Sequence, residues 1–141
     1  MLSNAITITT NAFNNIEDKH KEPYILHCLT VMFTVKPLGE DYAIVGVLHD
    51  LIENTSWTIP MLIASGFNKK VTTAVDLLTH TPNISYQTYI EVLAKNPIAL
   101  EVKLADLRHN SDITRSLGMK NLEKYHKAYA YLIKEKNVGK S

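Results

Sequence analysis

The stretch Val47-Leu48-His49-Asp50-Leu51-Ile52-Glu53-Asn54 sets a histidine and two carboxylates inside an apolar run. Read as part of a helix, His49, Asp50 and Glu53 project from one side, while Ile44, Val47, Leu48, Leu51 and Ile52 face a core. Burying three such polar groups bare would cost on the order of several kcal/mol, the scale for unpaired charge in an apolar medium. They need a partner, and a metal ion is the simplest one.

The surrounding chain reads as helices. Glycine is scarce, with five residues, and is expected at segment boundaries, which suits helices joined by short loops better than strands and tight hairpins. The spacing of apolar residues predicts helices over Leu2 to about Glu17, Tyr24 to about Val35 and Glu40 to about Asn54, with Asp18 to Glu22 as a charged loop. Thr58 or Ser56 is placed to cap a short helix over Pro60 to Ala64, and Asn68 to cap one over Lys69 to about Thr79. Ser85 opens a helix through Tyr86, Tyr89, Ile90 and Leu93 that Asn96-Pro97 stops. Ile98 to about Thr114 and a tyrosine-rich Asn121 to about Lys136 follow. With no repeat and no convincing strand, the expected architecture is all-α, a compact bundle of about seven or eight helices.

A chain of 141 residues is long enough to bury a core and is expected to form one domain over 1–141, with no room for a second catalytic one. Its 15 basic and 14 acidic side chains nearly cancel, so charge supplies no argument for nucleic acid or a membrane as partner, and an anionic ligand has to be met locally. Cys28 is the only cysteine, which excludes an internal disulfide and a thiolate zinc cluster. With no signal peptide and no run of membrane-spanning length, a cytoplasmic location is expected.

Four residues stand out as a metal set: His27, His49, Asp50 and Asp106. Two imidazoles and two carboxylates suit a borderline or hard divalent ion such as Mn²⁺, Fe²⁺, Zn²⁺, Co²⁺ or Mg²⁺, and four protein ligands leave octahedral positions for water and substrate. Lys103 and Arg115 are candidates for phosphate contact. The tyrosines are expected in the core or at an interface, and His20, His80 and His126 at the surface. Arg108 is expected to make a surface ion pair.

The flanks of these residues carry a resemblance. Glu22-Pro23-Tyr24-Ile25-Leu26-His27, then Leu48-His49-Asp50-Leu51-Ile52-Glu53-Asn54-Thr55, then Val102-Lys103-Leu104-Ala105-Asp106-Leu107-Arg108-His109-Asn110 resemble the HD phosphohydrolase superfamily. Within it they are similar to the hydrolase domain of the Rel/SpoT alarmone enzymes and to the small stand-alone alarmone hydrolases. The resemblance implies that His27, His49, Asp50 and Asp106 bind one catalytic ion, usually Mn²⁺. It implies that Glu53 orients or deprotonates the attacking water and that Asn110 lines the nucleotide site. The implied reaction is hydrolysis of a nucleotide phosphate or pyrophosphate, with the 3′-pyrophosphate of a (p)ppGpp-like alarmone as first choice, and without synthesis. The implied partner is a small-molecule nucleotide, and the tyrosine-rich last helix is compatible with a homo-oligomer.

Two positions depart from the family pattern. Asn54 stands where an acidic residue is usual, and an amide orients water without accepting its proton at neutral pH. Asp18 falls at the position of an arginine associated with the guanine base, leaving Lys19, His20 and Lys21 to meet phosphates. The alternatives are therefore a nucleotidase or phosphatase acting on (p)ppApp, NADPH or a nucleoside monophosphate, or a non-enzymatic nucleotide-sensing module.

Overall fold

The structure, a computed structural model, describes residues 1–114 and 119–139, and Arg115 lies outside the described residues. The helices are α1 (Leu2–Ala12), α2 (Ile25–Val35), a 3₁₀ turn (Lys36–Leu38), α3 (Glu40–Leu48) and α4 (Leu51–Asn54). They continue as α5 (Ile59–Ala64), α6 (Lys69–Leu78), α7 (Tyr86–Leu93), α8 (Pro97–Thr114) and α9 (Met119–Val138). The fold is all-α: among the described residues the only β-type pairing is an isolated bridge between Glu17 and Pro23. No helix among them is long and apolar enough to cross a membrane.

Helix α3 is the axis of the bundle. Its residues from Ala43 to Leu48 are all buried, which no amphipathic surface helix would allow. It touches α1, α2, α6 and α8. Around it Val31, Val35, Leu62, Val71, Val75, Ile90, Leu93, Leu107 and Leu132 complete one contiguous core. The cap residues expected for the middle helices act as such. Thr58 Oγ1 accepts from the Met61 N–H, Asn68 Oδ1 from Val71 and Ser85 Oγ from Thr88, each satisfying a donor the first turn leaves open.

Three expectations need correction. The first helix stops at Ala12 rather than near Glu17: Phe13 turns into the core, and Asn15 adopts φ 63°, a left-handed conformation that asparagine tolerates better than most residues. The chain then folds back, Tyr24 N–H donating to Ile16 O at 2.8 Å, and Glu17, Asp18 and Lys19 face a cavity instead of extending a helix.

The predicted helix Glu40–Asn54 is broken at His49-Asp50. Asp50 sits at φ −102°, ψ 0°, in the bridge region that active-site residues often occupy. The projection of His49, Asp50 and Glu53 from one continuous helix therefore does not hold; a kink aims the first two.

Gly46 lies inside α3, not at a boundary. A Cβ there would stand 2.9 Å from Val35 Cγ2 and 3.0 Å from Met32 Cα, so glycine lets α2 approach α3 closely enough to bring His27 beside His49. Gly46→Val is expected to lower the unfolding free energy by about 1–3 kcal/mol, the cost of overpacking, measured by urea unfolding. Unchanged stability would mean the two helices part easily.

Candidate active site

The kink after α3, one turn of α2 and one face of α8 meet. His27 Nε2 lies 2.9 Å from Asp106 Oδ1 and 3.5 Å from Asp50 Oδ2. His49 Nε2 lies 3.1 Å from Asp50 Oδ2 and 3.3 Å from Asp106 Oδ1. One donor atom from each of the four residues falls within 4.8 Å of the others. His27, His49 and Asp106 are buried and Asp50 nearly so.

Neighbours hold these groups in place. The His49 Nδ1–H donates to the Gly46 carbonyl at 2.7 Å, which leaves Nε2 turned inward. Tyr24 OH donates to Asp50 Oδ2 at 2.6 Å. Asp106 Oδ1 accepts from Asn110 Nδ2 at 2.9 Å, and its Oδ2 from Lys103 Nζ at 3.0 Å. Lys103, Asp106 and Asn110 stand at i, i+3 and i+7 on α8, one face of a helix.

The electrostatics favour positive charge at the centre. Burial opposes ionisation of His27 and His49, yet the Asp50 and Asp106 carboxylates outweigh it and raise both imidazole pKa values. Burial likewise opposes the Asp106 carboxylate, but Lys103 and His49 hold it well below the usual range, and His49 and His27 do the same for Asp50. Lys103 stays charged against its burial because Asp106 faces it. Two inward imidazole nitrogens and two ionised carboxylates fit a divalent cation of the kind expected.

His27, Asp50 and Asp106 of the cluster lie in the lining of a cavity of about 550 Å³ that also includes Lys19, Glu53, Asn54, Lys103 and Asn110, while His49 is buried and not part of that lining. Glu53 Oε1 accepts from the His80 backbone N–H at 2.7 Å, which fixes its carboxylate at the rim. Asn54 turns its Nδ2 back onto the Asp50 carbonyl, 3.1 Å away, and so secures the short α4 turn. Lys21 is not in the lining: it sits at φ 63° in the 18–22 turn, its N–H on the Asp18 carbonyl. Asp18 is occupied by the same turn, Oδ1 accepting from the N–H groups of His20 and Glu22 at 2.8 and 3.0 Å.

Sequence reasoning missed part of this wall. His80, expected at the surface, is half-buried, its ring 4.7 Å from that of Tyr89. Tyr89 is a core residue whose hydroxyl donates to Leu78 O, and it lines the cavity together with Tyr86 and Tyr125. The Lys124 ammonium lies 4.2 Å from the Tyr86 ring centre. Burial, against the pull of Lys103, pushes the Tyr86 hydroxyl up to about 12. Arg108 donates to Tyr129 OH at 3.0 Å and pins α9 to α8. His109 Nδ1 lies 2.7 Å from His27 Nδ1. Spacing alone could have flagged it, since it stands at i+3 from Asp106.

Comparison with known proteins follows the same direction. No family model matches the chain. It is 32% identical over 117 residues to a GTP pyrophosphokinase of Streptomyces coelicolor, covering 75% of this chain and 14% of that protein. It is 28% identical over 130 residues to a probable GTP pyrophosphokinase of Mycobacterium leprae, covering 79% and 16%. A probable guanosine-3′,5′-bis(diphosphate) 3′-pyrophosphohydrolase of Synechocystis sp. is 30% identical over 105 residues, covering 65% and 14%. The chain thus spans about a seventh of the length of the curated relatives it matches. Among solved structures, a metazoan ortholog of SpoT that hydrolyzes ppGpp superposes with a TM-score of 0.76 at 18% identity, over 95% of this chain and 84% of that one. In sequence the chain resembles the Rel/SpoT enzymes, and its fold is that of the SpoT HD domain.

Proposed function

We propose that this chain, a relative of the Rel/SpoT enzymes with a SpoT-type HD fold, is a metal-dependent phosphohydrolase domain that removes the 3′-pyrophosphate of a (p)ppGpp-like alarmone. The observation that carries the reading is the convergence of four donor atoms, three of them from residues lining a cavity that also holds Glu53 and three lysines, Lys19, Lys103 and Lys124. The activities for which the Synechocystis and metazoan relatives are named support the substrate.

His27, His49, Asp50 and Asp106 would hold the ion, with Mn²⁺ the first choice. When bound, such an ion acidifies water and neutralises phosphate charge. Tyr24, Lys103 and Asn110 keep the two carboxylates ionised and aimed inward. Glu53 takes the proton of the attacking water while the new oxygen–phosphorus bond forms. The bond from phosphorus to the ribose 3′-oxygen breaks, and that oxygen takes up a proton from solvent, leaving pyrophosphate and a nucleotide with a free 3′-hydroxyl, while Glu53 returns to solvent the proton it took. Lys19 and Lys124 meet the remaining phosphate charge, and Asn54 positions Asp50 through its carbonyl.

One observation keeps a second substrate reading in view. The Asp18 carboxylate is bound to the backbone of its own loop, so that position supplies no cation to a base, which favours a hydrolase of another nucleotide such as (p)ppApp, NADPH or a monophosphate.

Phosphate and pyrophosphate release from a nucleotide panel tests both. Turnover of ppGpp is expected with Mn²⁺, lost on chelation and restored by adding the ion back. Turnover of other nucleotides but not of alarmones would exclude the first substrate. Silence on every nucleotide with every divalent ion would exclude the enzyme and leave a sensing module.

A further inference from the structure

The two histidines of the cluster are anchored differently. His49 donates to a backbone carbonyl, which can only accept. His27 meets another imidazole, from a helix 82 positions further along the chain: its Nδ1 and that of His109 are 2.7 Å apart. The rings are 16° from parallel with centroids 4.9 Å apart. A contact between nitrogens that close, with ring centres so far apart, runs in the ring planes, edge to edge, along the direction of an imidazole N–H or lone pair.

We infer that His109 is a positioning residue for the metal centre, its bare Nδ1 accepting the Nδ1–H of His27 and so turning His27 Nε2 toward Asp50 and Asp106. The inference rests on the reading of the cluster as a cation site. For His27 Nε2 to offer a lone pair to an ion, the ring proton must sit on Nδ1. A donor at 2.7 Å requires an acceptor opposite, so His109 carries its own proton on Nε2.

The arrangement also couples the helices. Asp106 and His109 lie at i and i+3 on α8, so one turn of that helix supplies both a ligand and the group that orients the ligand on α2. Phenylalanine at 109 would fill the space without accepting, whereas asparagine places Oδ1 where Nδ1 stood.

The test is calorimetric titration of the full chain with Mn²⁺ alone, for the wild type, His109→Phe and His109→Asn. Thermal unfolding of each metal-free protein serves as the control for folding. His109→Phe is expected to bind about 10–100-fold more weakly, the usual effect of losing a group that orients a ligand, with most of that loss recovered in His109→Asn. Equal affinity in His109→Phe, or equal loss in both variants, would overturn the assignment. Long-range proton–nitrogen spectra of the metal-free wild type supply a second readout, with the His109 proton expected on Nε2; finding it on Nδ1 would also overturn it. A wild type that takes up no ion would sink the cation-site reading instead, and the ring-nitrogen spectra would still decide the bond.

Discussion

Asp106→Ala is expected to abolish ion uptake and to lower turnover by about three orders of magnitude or more, the effect of losing several kcal/mol of charge stabilisation in the transition state. The same change should also weaken the fold. Lys103, whose side chain is 12% exposed, has its ammonium 3.0 Å from Asp106 Oδ2, and removing one partner of a buried pair leaves the other charge uncompensated, at a cost of about 3–5 kcal/mol. The two effects separate in the double variant Asp106→Ala with Lys103→Met. Denaturant unfolding of the metal-free protein should recover much of the lost stability, while ion binding and turnover stay absent. Turnover near the wild-type level in Asp106→Ala would remove this residue from the proposed ligand set.

Glu53→Gln should give the second largest effect, of a different kind. The amide keeps an oxygen for the His80 N–H that now binds Glu53 Oε1 at 2.7 Å, so the rim of the cavity is preserved, but it takes no proton from water. A fall in kcat of about 10²–10⁴-fold is expected, the range for a positioned general base, with Mn²⁺ affinity unchanged. A parallel fall in ion affinity would instead make Glu53 part of the cation site. Its neighbour Asn54 is engaged on the Asp50 carbonyl and cannot substitute as a base.

Much of the architecture was legible because it is locally encoded. Apolar spacing and the caps Thr58, Asn68 and Ser85 depend on neighbours within a turn or two, and these mark where α5, α6 and α7 begin. What escaped depends on contacts distant in sequence. The first helix had an acceptable pattern as far as Glu17, yet burial of Phe13 and the pairing of Tyr24 with Ile16 end it earlier. Gly46 resembled punctuation, but its reason is the Met32 backbone of α2 packed against it. His80 resembled a surface residue until α7 placed Tyr89 against it.

The same division runs through the site. The residue types were plain in the sequence: two histidines, two aspartates and a further glutamate, in an order that resembles a known superfamily, set among apolar residues. Helical periodicity also brings Lys103, Asp106 and Asn110 to one face, because that relation spans only two turns. Only the tertiary structure decided that the helix breaks at Asp50, that Tyr24 and His109 hold two of the cluster residues, and that Lys19 faces the cavity while Lys21 does not. Periodicity places a side chain on a helix face, but the direction of a ring nitrogen or carboxylate oxygen depends on what three or four helices bring against it. For Asp50 and His27 those partners, Tyr24 and His109, stand 26 and 82 residues away in the chain.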